Sequence, residues 1–170
     1  MAMMTIVDLL DSEDDGLASR AWYEAVVKRL VPFEQLASRA RRLMELLQSP
    51  SREARSLAWA AAAELLRASA LPKEELAKRK GSLIELLRSR GPSLTSFISA
   101  WETAETLAAE GVLTADDLRP LGNLLWDMVD RASGSDKDRL RSIAERLRSA
   151  GFIKGPGIRA RVLGEDSYIL

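Results

Sequence analysis

The chain has 170 residues, 46% of them hydrophobic and 29% charged, with 25 basic and 25 acidic side chains and no formal net charge. That length suits one well-buried domain, and the even charge balance lacks the broad basic field of an electrostatically driven nucleic-acid binder. Cysteine and histidine are both absent, which excludes disulfides, zinc sites with the usual ligand sets, and Cys–His or Ser–His nucleophile systems.

The first residues carry no basic segment, and Asp8 and Asp11 interrupt their apolar positions. The longest apolar run, residues 57–63, is far too short to span a bilayer. A cytoplasmic protein without a membrane partner is the expectation. Arginine greatly outnumbers lysine, and Gln35, Gln48 and Asn123 are the only side-chain amides, a bias that fits a hot habitat or a GC-rich genome.

In chain order, a first helix is expected at about 17–30, and from there the sequence repeats. Residues 43–49 (LMELLQS) and 83–89 (LIELLRS) share five of seven positions at a spacing of 40, and 125–131 (LWDMVDR) follows 42 residues later. The segments 31–36, 71–76 and 113–118 align at the joints, each a hydrophobe, a helix-start residue, acids and a leucine. Pro32 and Pro72 suit a helix opening, where the first N–H groups have no partner, and Thr114 with Asp117 has the spacing of a capping box. Gly111 and Gly151 fall where a left-handed helix cap belongs.

Between these landmarks each unit splits into two helices. First helices are expected at about 33–48, 73–89 and 115–132, with apolar residues at helical period (Leu36, Leu43, Leu47; Leu76, Leu83, Leu87; Leu118, Leu121, Leu125, Met128). Turns at 49–51, 90–93 and 133–135 lead to second helices at about 51–69, 93–110 and 136–150. The small residues Ala54, Ala58 and Ala60 to Ala63 mark the second helix of the first unit as one packed closely from several sides.

Residues 46–65 (LLQSPSREARSLAWAAAAEL) resemble a HEAT repeat, with paired leucines, a proline-containing turn and then Ala54-Arg55. The third unit agrees through Pro120, Leu124-Leu125 and Leu140-Arg141, whereas the second departs, with Phe97-Ile98 and Lys78 at the corresponding places. The resemblance to the HEAT/armadillo family of α-solenoids covers about 32–153. It implies an all-α, short right-handed α-solenoid of about three hairpins, plus a leading helix and an extended C-terminal tail, with the second helices lining a concave face. Residues 1–153 would form a single repeat domain (half unit 17–31; units 32–71, 72–113 and 114–153), followed by the tail at 154–170.

The candidate partner-binding residues lie on those second helices: Arg52, Arg55, Trp59, Arg67, Arg141 and Arg148. Guanidinium groups there grip acidic peptides or phosphates, or else pair with Glu53, Glu64, Asp138 and Glu145 on solvated surfaces. Trp101 shares an apolar stripe with Phe97, Ile98 and Ala104 and reads as core, whereas Trp59 is expected to be the more exposed of the two, and Trp126 falls off the main stripe of its helix. The acids Glu13-Asp14-Asp15, Asp116-Asp117 and Asp136 with Asp138 sit at helix starts and read as caps rather than metal ligands. Residues 155–157 (GPG) lack what a phosphate-binding loop needs downstream. No catalytic, cofactor or metal residue stands out.

The tail reads as an extended arm that folds back over the last hairpin or pairs two copies of the chain. Its helix, turn, strand, turn, strand order also matches the end of a winged-helix module, in which Arg139, Arg141, Arg159 and Arg161 would contact nucleic acid. The functional expectation is a non-enzymatic adaptor binding a protein or peptide on the second-helix face, with nucleic-acid binding as the alternative.

Overall fold

A computed structural model of the protein describes residues 4–89 and 93–156. All regular structure among them is helical, as Ala- and Leu-rich composition favours. Arg159, Arg161 and the arm, cap and wing readings of the tail lie outside the described residues. By its internal contacts the chain divides into two compact units, Met1–Leu113 and Thr114–Leu170.

The first unit holds α1 (Ile6–Leu10), α2 (Asp15–Val27), α3 (Phe33–Ala37), α4 (Ala40–Leu46), α5 (Arg52–Arg67), α6 (Lys73–Ala77), α7 (Lys80–Arg88) and α8 (Leu94–Ala109). The expected leading helix is therefore not alone, because α1 precedes it and packs on it. Helix α5 lies between α2 and α8 and also packs on α4 and α7. Its alanines make this possible: Ala58, Ala61 and Ala62 are fully buried, and small side chains let neighbouring helices approach closely.

The first helices of the repeating segments are each broken, where the sequence suggested one continuous helix. Between α3 and α4 the Arg39 N–H donates to the Leu36 carbonyl at 3.0 Å, and between α6 and α7 the Arg79 N–H donates to the Leu76 carbonyl at 3.0 Å. Each bond spans three residues and so tightens the turn. At the first break the Ser38 hydroxyl also donates to the Gln35 carbonyl at 2.7 Å, competing with the helical ladder.

Helix starts follow local chemistry. Asp14, Ser51 and Ser93 accept from the N–H groups of Leu17, Ala54 and Ser96. Thr5 with Asp8 and Thr114 with Asp117 form reciprocal capping boxes. Helix ends recur at a spacing of 40 or 42 residues. Arg29, Ser69, Gly111 and Gly151 all have positive φ, of 52°, 62°, 85° and 88°. In each case the next residue donates its N–H back to a helix carbonyl: Leu30 to Ala25, Ala70 to Leu65, Val112 to Leu107 and Phe152 to Leu147, at 2.8–2.9 Å. These are Schellman endings. The hydrophobe that follows, Val31, Leu71, Leu113 or Ile153, is buried.

Three buried tryptophans sit on α2, α5 and α8. The Trp22 Nε1–H donates to the Leu10 carbonyl at 3.0 Å, and the Trp59 Nε1–H to the Leu47 carbonyl at 3.2 Å, each joining a second helix to the end of the helix before it. Trp101 is equally buried, against Phe97 with ring centroids 6.3 Å apart, yet its Nε1–H has no acceptor among the described residues.

The second unit holds α9 (Ala115–Leu118), a 3-10 turn at Arg119–Leu121, α10 (Gly122–Arg131) and α11 (Gly134–Ser149). Pro120 falls in the 3-10 turn, and a proline cannot supply the N–H a continuous helix requires. The expected stripe of Leu118, Leu121, Leu125 and Met128 is buried. Trp126 is buried too, its Nε1–H donating to the Lys154 carbonyl at 2.9 Å. A Cβ at residue 122 would stand 3.2 Å from the Cβ of Ile153, so Gly122 permits that close approach.

The helix endings generate a stability test. Ser69→Gly relieves a left-handed strain of about 1–2 kcal/mol against a chain-entropy cost of about 0.5–1 kcal/mol, and is expected to raise the urea midpoint slightly. Gly151→Ala places its Cβ in open space and is expected to cost about 1 kcal/mol through φ alone.

Candidate functional site

The side chains singled out on the second helices fall into distinct environments. On α5, Arg55 is 8% exposed, with Nη2 3.3 Å from the Glu85 carboxylate of α7. Trp59, one turn further along, is 0% exposed, and its Nε1–H donates both to Leu47 and to the Ser82 hydroxyl of α7, the latter at 2.9 Å. The expectation that Trp59 is exposed is thus overturned. The side of α5 carrying Arg55 and Trp59 faces α7, so this guanidinium and this indole tie two helices together and are closed to a partner.

Arg67, at the far end of α5, is exposed and pairs with Glu64 of its own helix at 3.3 Å. Arg148 pairs with Glu145 on α11 at 3.2 Å. Arg139 and Arg141 are exposed on α11. Exposed pairs within one helix contribute little, about 0.3–0.5 kcal/mol. Arg139, Arg141 and Arg148 belong to the second unit, and Arg52, Arg55, Trp59 and Arg67 to the first.

Arg52 differs from all of these. It is half-buried in the first turn of α5 and has no ion pair or hydrogen bond among the described residues, while its Nε, like that of Arg55, is closed off from solvent. It lines a cavity of about 280 Å³ between α5 and α8, together with Ser56, Leu57, Leu86, Thr95 and Phe97. A second cavity of about 300 Å³ is lined by α2, α5 and α8 through Tyr23, Val27, Ala60, Glu64, Thr103 and Thr106. Ser99 of α8 contributes to both. Ser56, Ser99 and Tyr23 went unremarked in the sequence. Their signal is weak: small or amphipathic residues a helical turn from charged ones, as with Arg52 and Ser56 or Ser99 and Glu102.

Some of the acids expected to cap helix starts do so, whereas α11 has no side-chain cap bond and Asp136 only lies in its first turn. Asp14 caps α2 and Asp117 closes a capping box, and no group of three or more His, Cys, Asp or Glu side chains suited to a metal occurs among the described residues. Asp15 has a further role. It accepts from the Ser49 hydroxyl at 2.6 Å and from Arg42 at 2.8 Å, while Arg42 also donates to the Ser12 carbonyl at 2.7 and 3.0 Å. The network fastens α4 and the turn after it to the start of α2. The Ser49 hydrogen bond first, and Arg42 second, hold the Asp15 carboxyl below its ordinary range. No helix of the described residues is long and apolar enough to cross a membrane.

A lowered carboxyl pKa contributes stability that is present above the ordinary carboxylate range and lost as pH falls through the folded value. Asp15→Asn is therefore expected to be less stable than the native chain at neutral pH, with the gap closing as pH is brought below about 4, as followed by urea unfolding across pH. Comparison with known proteins adds no relative: no family model, no curated protein and no solved structure matches this chain.

Proposed function

We propose that the protein is a non-enzymatic binding module, a short right-handed stack of HEAT-like hairpins whose second helices present a recognition surface to a protein or peptide. The observation that carries this reading is the placement of both cavities, of about 280 and 300 Å³, on α2, α5 and α8, with Ser99 common to the two. Cavities of this size accept one or two side chains, and two of them on one helical surface suit a short segment that anchors at two points. The repeat reading draws support from the four helix endings at residues 29, 69, 111 and 151 and from the shared tryptophan-to-carbonyl bonds of Trp22 and Trp59. Stacked hairpins bury a continuous core and leave one row of helices for contacts.

Photocrosslinking in the native cell tests it. A benzophenone side chain at Ala60, which lines the second cavity, is expected to yield discrete protein adducts that survive nuclease, and the same group at exposed Gly81 of α7 none. Adducts that vanish with nuclease, or that form only from Arg141, would instead favour nucleic acid as the partner.

A further inference from the structure

We infer that the cavity between the first turns of α5 and α8 receives an acidic side chain flanked by an apolar one, so that the partner is a peptide carrying an aspartate or glutamate beside an aliphatic or aromatic residue. The inference rests on the reading of α2, α5 and α8 as a binding surface, and it names what that surface selects.

Arg52 carries the argument. The other buried or half-buried arginines of the first unit have carboxylate partners: Arg39 with Asp11, Arg42 with Asp15, Arg55 with Glu85 and Arg79 with Glu75, at 2.6–3.3 Å. Arg52 has no ion pair or hydrogen bond among the described residues, although part of its guanidinium is shut away from water. A charged donor held out of solvent without a partner is costly, and such a group calls for an acceptor that arrives from outside. Glu53 is the only carboxylate in the described lining, and it is turned outward to Arg20 at 3.3 Å with a largely exposed side chain.

The rest of the wall fits the same ligand. Ser56, Thr95 and Ser99 line the cavity with hydroxyls that make no hydrogen bond among the described residues, so they are available to a carboxylate. Helices α5 and α8 both begin here, and the positive ends of two long helices add to the attraction for an anion. Leu57, Leu86, Phe97 and Ala100 supply an apolar floor. The volume of about 280 Å³ admits one or two side chains. A single guanidinium with no lysine in the described lining balances one negative charge, which suits a carboxylate better than a phosphate dianion.

The test begins with a random peptide library displayed against the full chain, followed by fluorescence anisotropy of the enriched peptide. The expected result is an acid beside Leu, Ile or Phe, with affinity falling about tenfold or more both when that acid becomes its amide and in Arg52→Met. Arg67→Met should bind as the native chain does. Arg52 has no partner to lose, so Arg52→Met is expected to melt with the native protein, and a matched Arg52→Lys is expected to restore part of the binding. If an enriched peptide binds Arg52→Met and its own amide form as tightly as before, acid recognition is overturned while the binding surface stands. If no peptide is enriched and Ala60 gives no protein adduct, both readings fall together. Displacement of the peptide by equimolar inorganic phosphate, or Arg52-dependent binding of duplex DNA, overturns the inference in favour of phosphate.

Discussion

The indole N–H of a buried tryptophan costs stability unless it finds an acceptor inside the protein, and for two of the tryptophans the acceptor is the carbonyl that ends the preceding helix. Trp22 takes the Leu10 carbonyl and Trp59 the Leu47 carbonyl. Each bond spans twelve residues, so it sets the length of the turn and how far the second helix lies along the first. Around Trp59 the Ser82 hydroxyl joins in, donating to the same Leu47 carbonyl at 2.6 Å, which links one hairpin to the next. The hairpin that ends in α8 departs from this rule. The leucine pair at 86–87 matches that at 46–47, but α7 runs on to Arg88 whereas α4 stops at Leu46, and Trp101 stands two residues farther from its pair. Trp101 is buried without an acceptor among the described residues.

What was legible in the sequence is what is decided locally. Caps at Ser51, Ser93 and Thr114 follow from a side-chain oxygen next to free N–H groups, and Gly111 and Gly151 follow from the cost of positive φ. The same helix ending occurs at Arg29 and Ser69, where no glycine advertises it and where tertiary packing of Val31 and Leu71 holds the strained residue in place. Helix α1 was equally hard to read, since five residues carry too short a period to register. Its clue was the spacing itself: the pair Leu9-Leu10 precedes Trp22 as Leu46-Leu47 precedes Trp59. The breaks at Ser38 and Lys78 lie inside an intact apolar stripe, which a kinked helix preserves as well as a straight one.

The candidate site divides along similar lines. Pairing of Arg67 with Glu64 and of Arg148 with Glu145 was readable from a spacing of three along a helix. The fates of Arg55 and Trp59 were not, because they depend on α7 lying against one side of α5. Arg52, three residues from Arg55, is distinguished by having no such neighbour. Sequence gives the positions of the guanidinium groups, but which of them is left unsatisfied is a property of the packed helices.

The central claim is that one tryptophan-to-carbonyl bond is built into the hairpins that end in α2 and α5 and is missing, among the described residues, from the one that ends in α8. The most direct measurement replaces Trp22, Trp59 and Trp101 one at a time with 3-benzothienylalanine, which keeps the ring shape and removes the N–H, and compares unfolding free energies. A loss of about 1 kcal/mol or more is expected at Trp22 and at Trp59, with no loss at Trp101. Equal losses at all three positions, or the largest at Trp101, would contradict it.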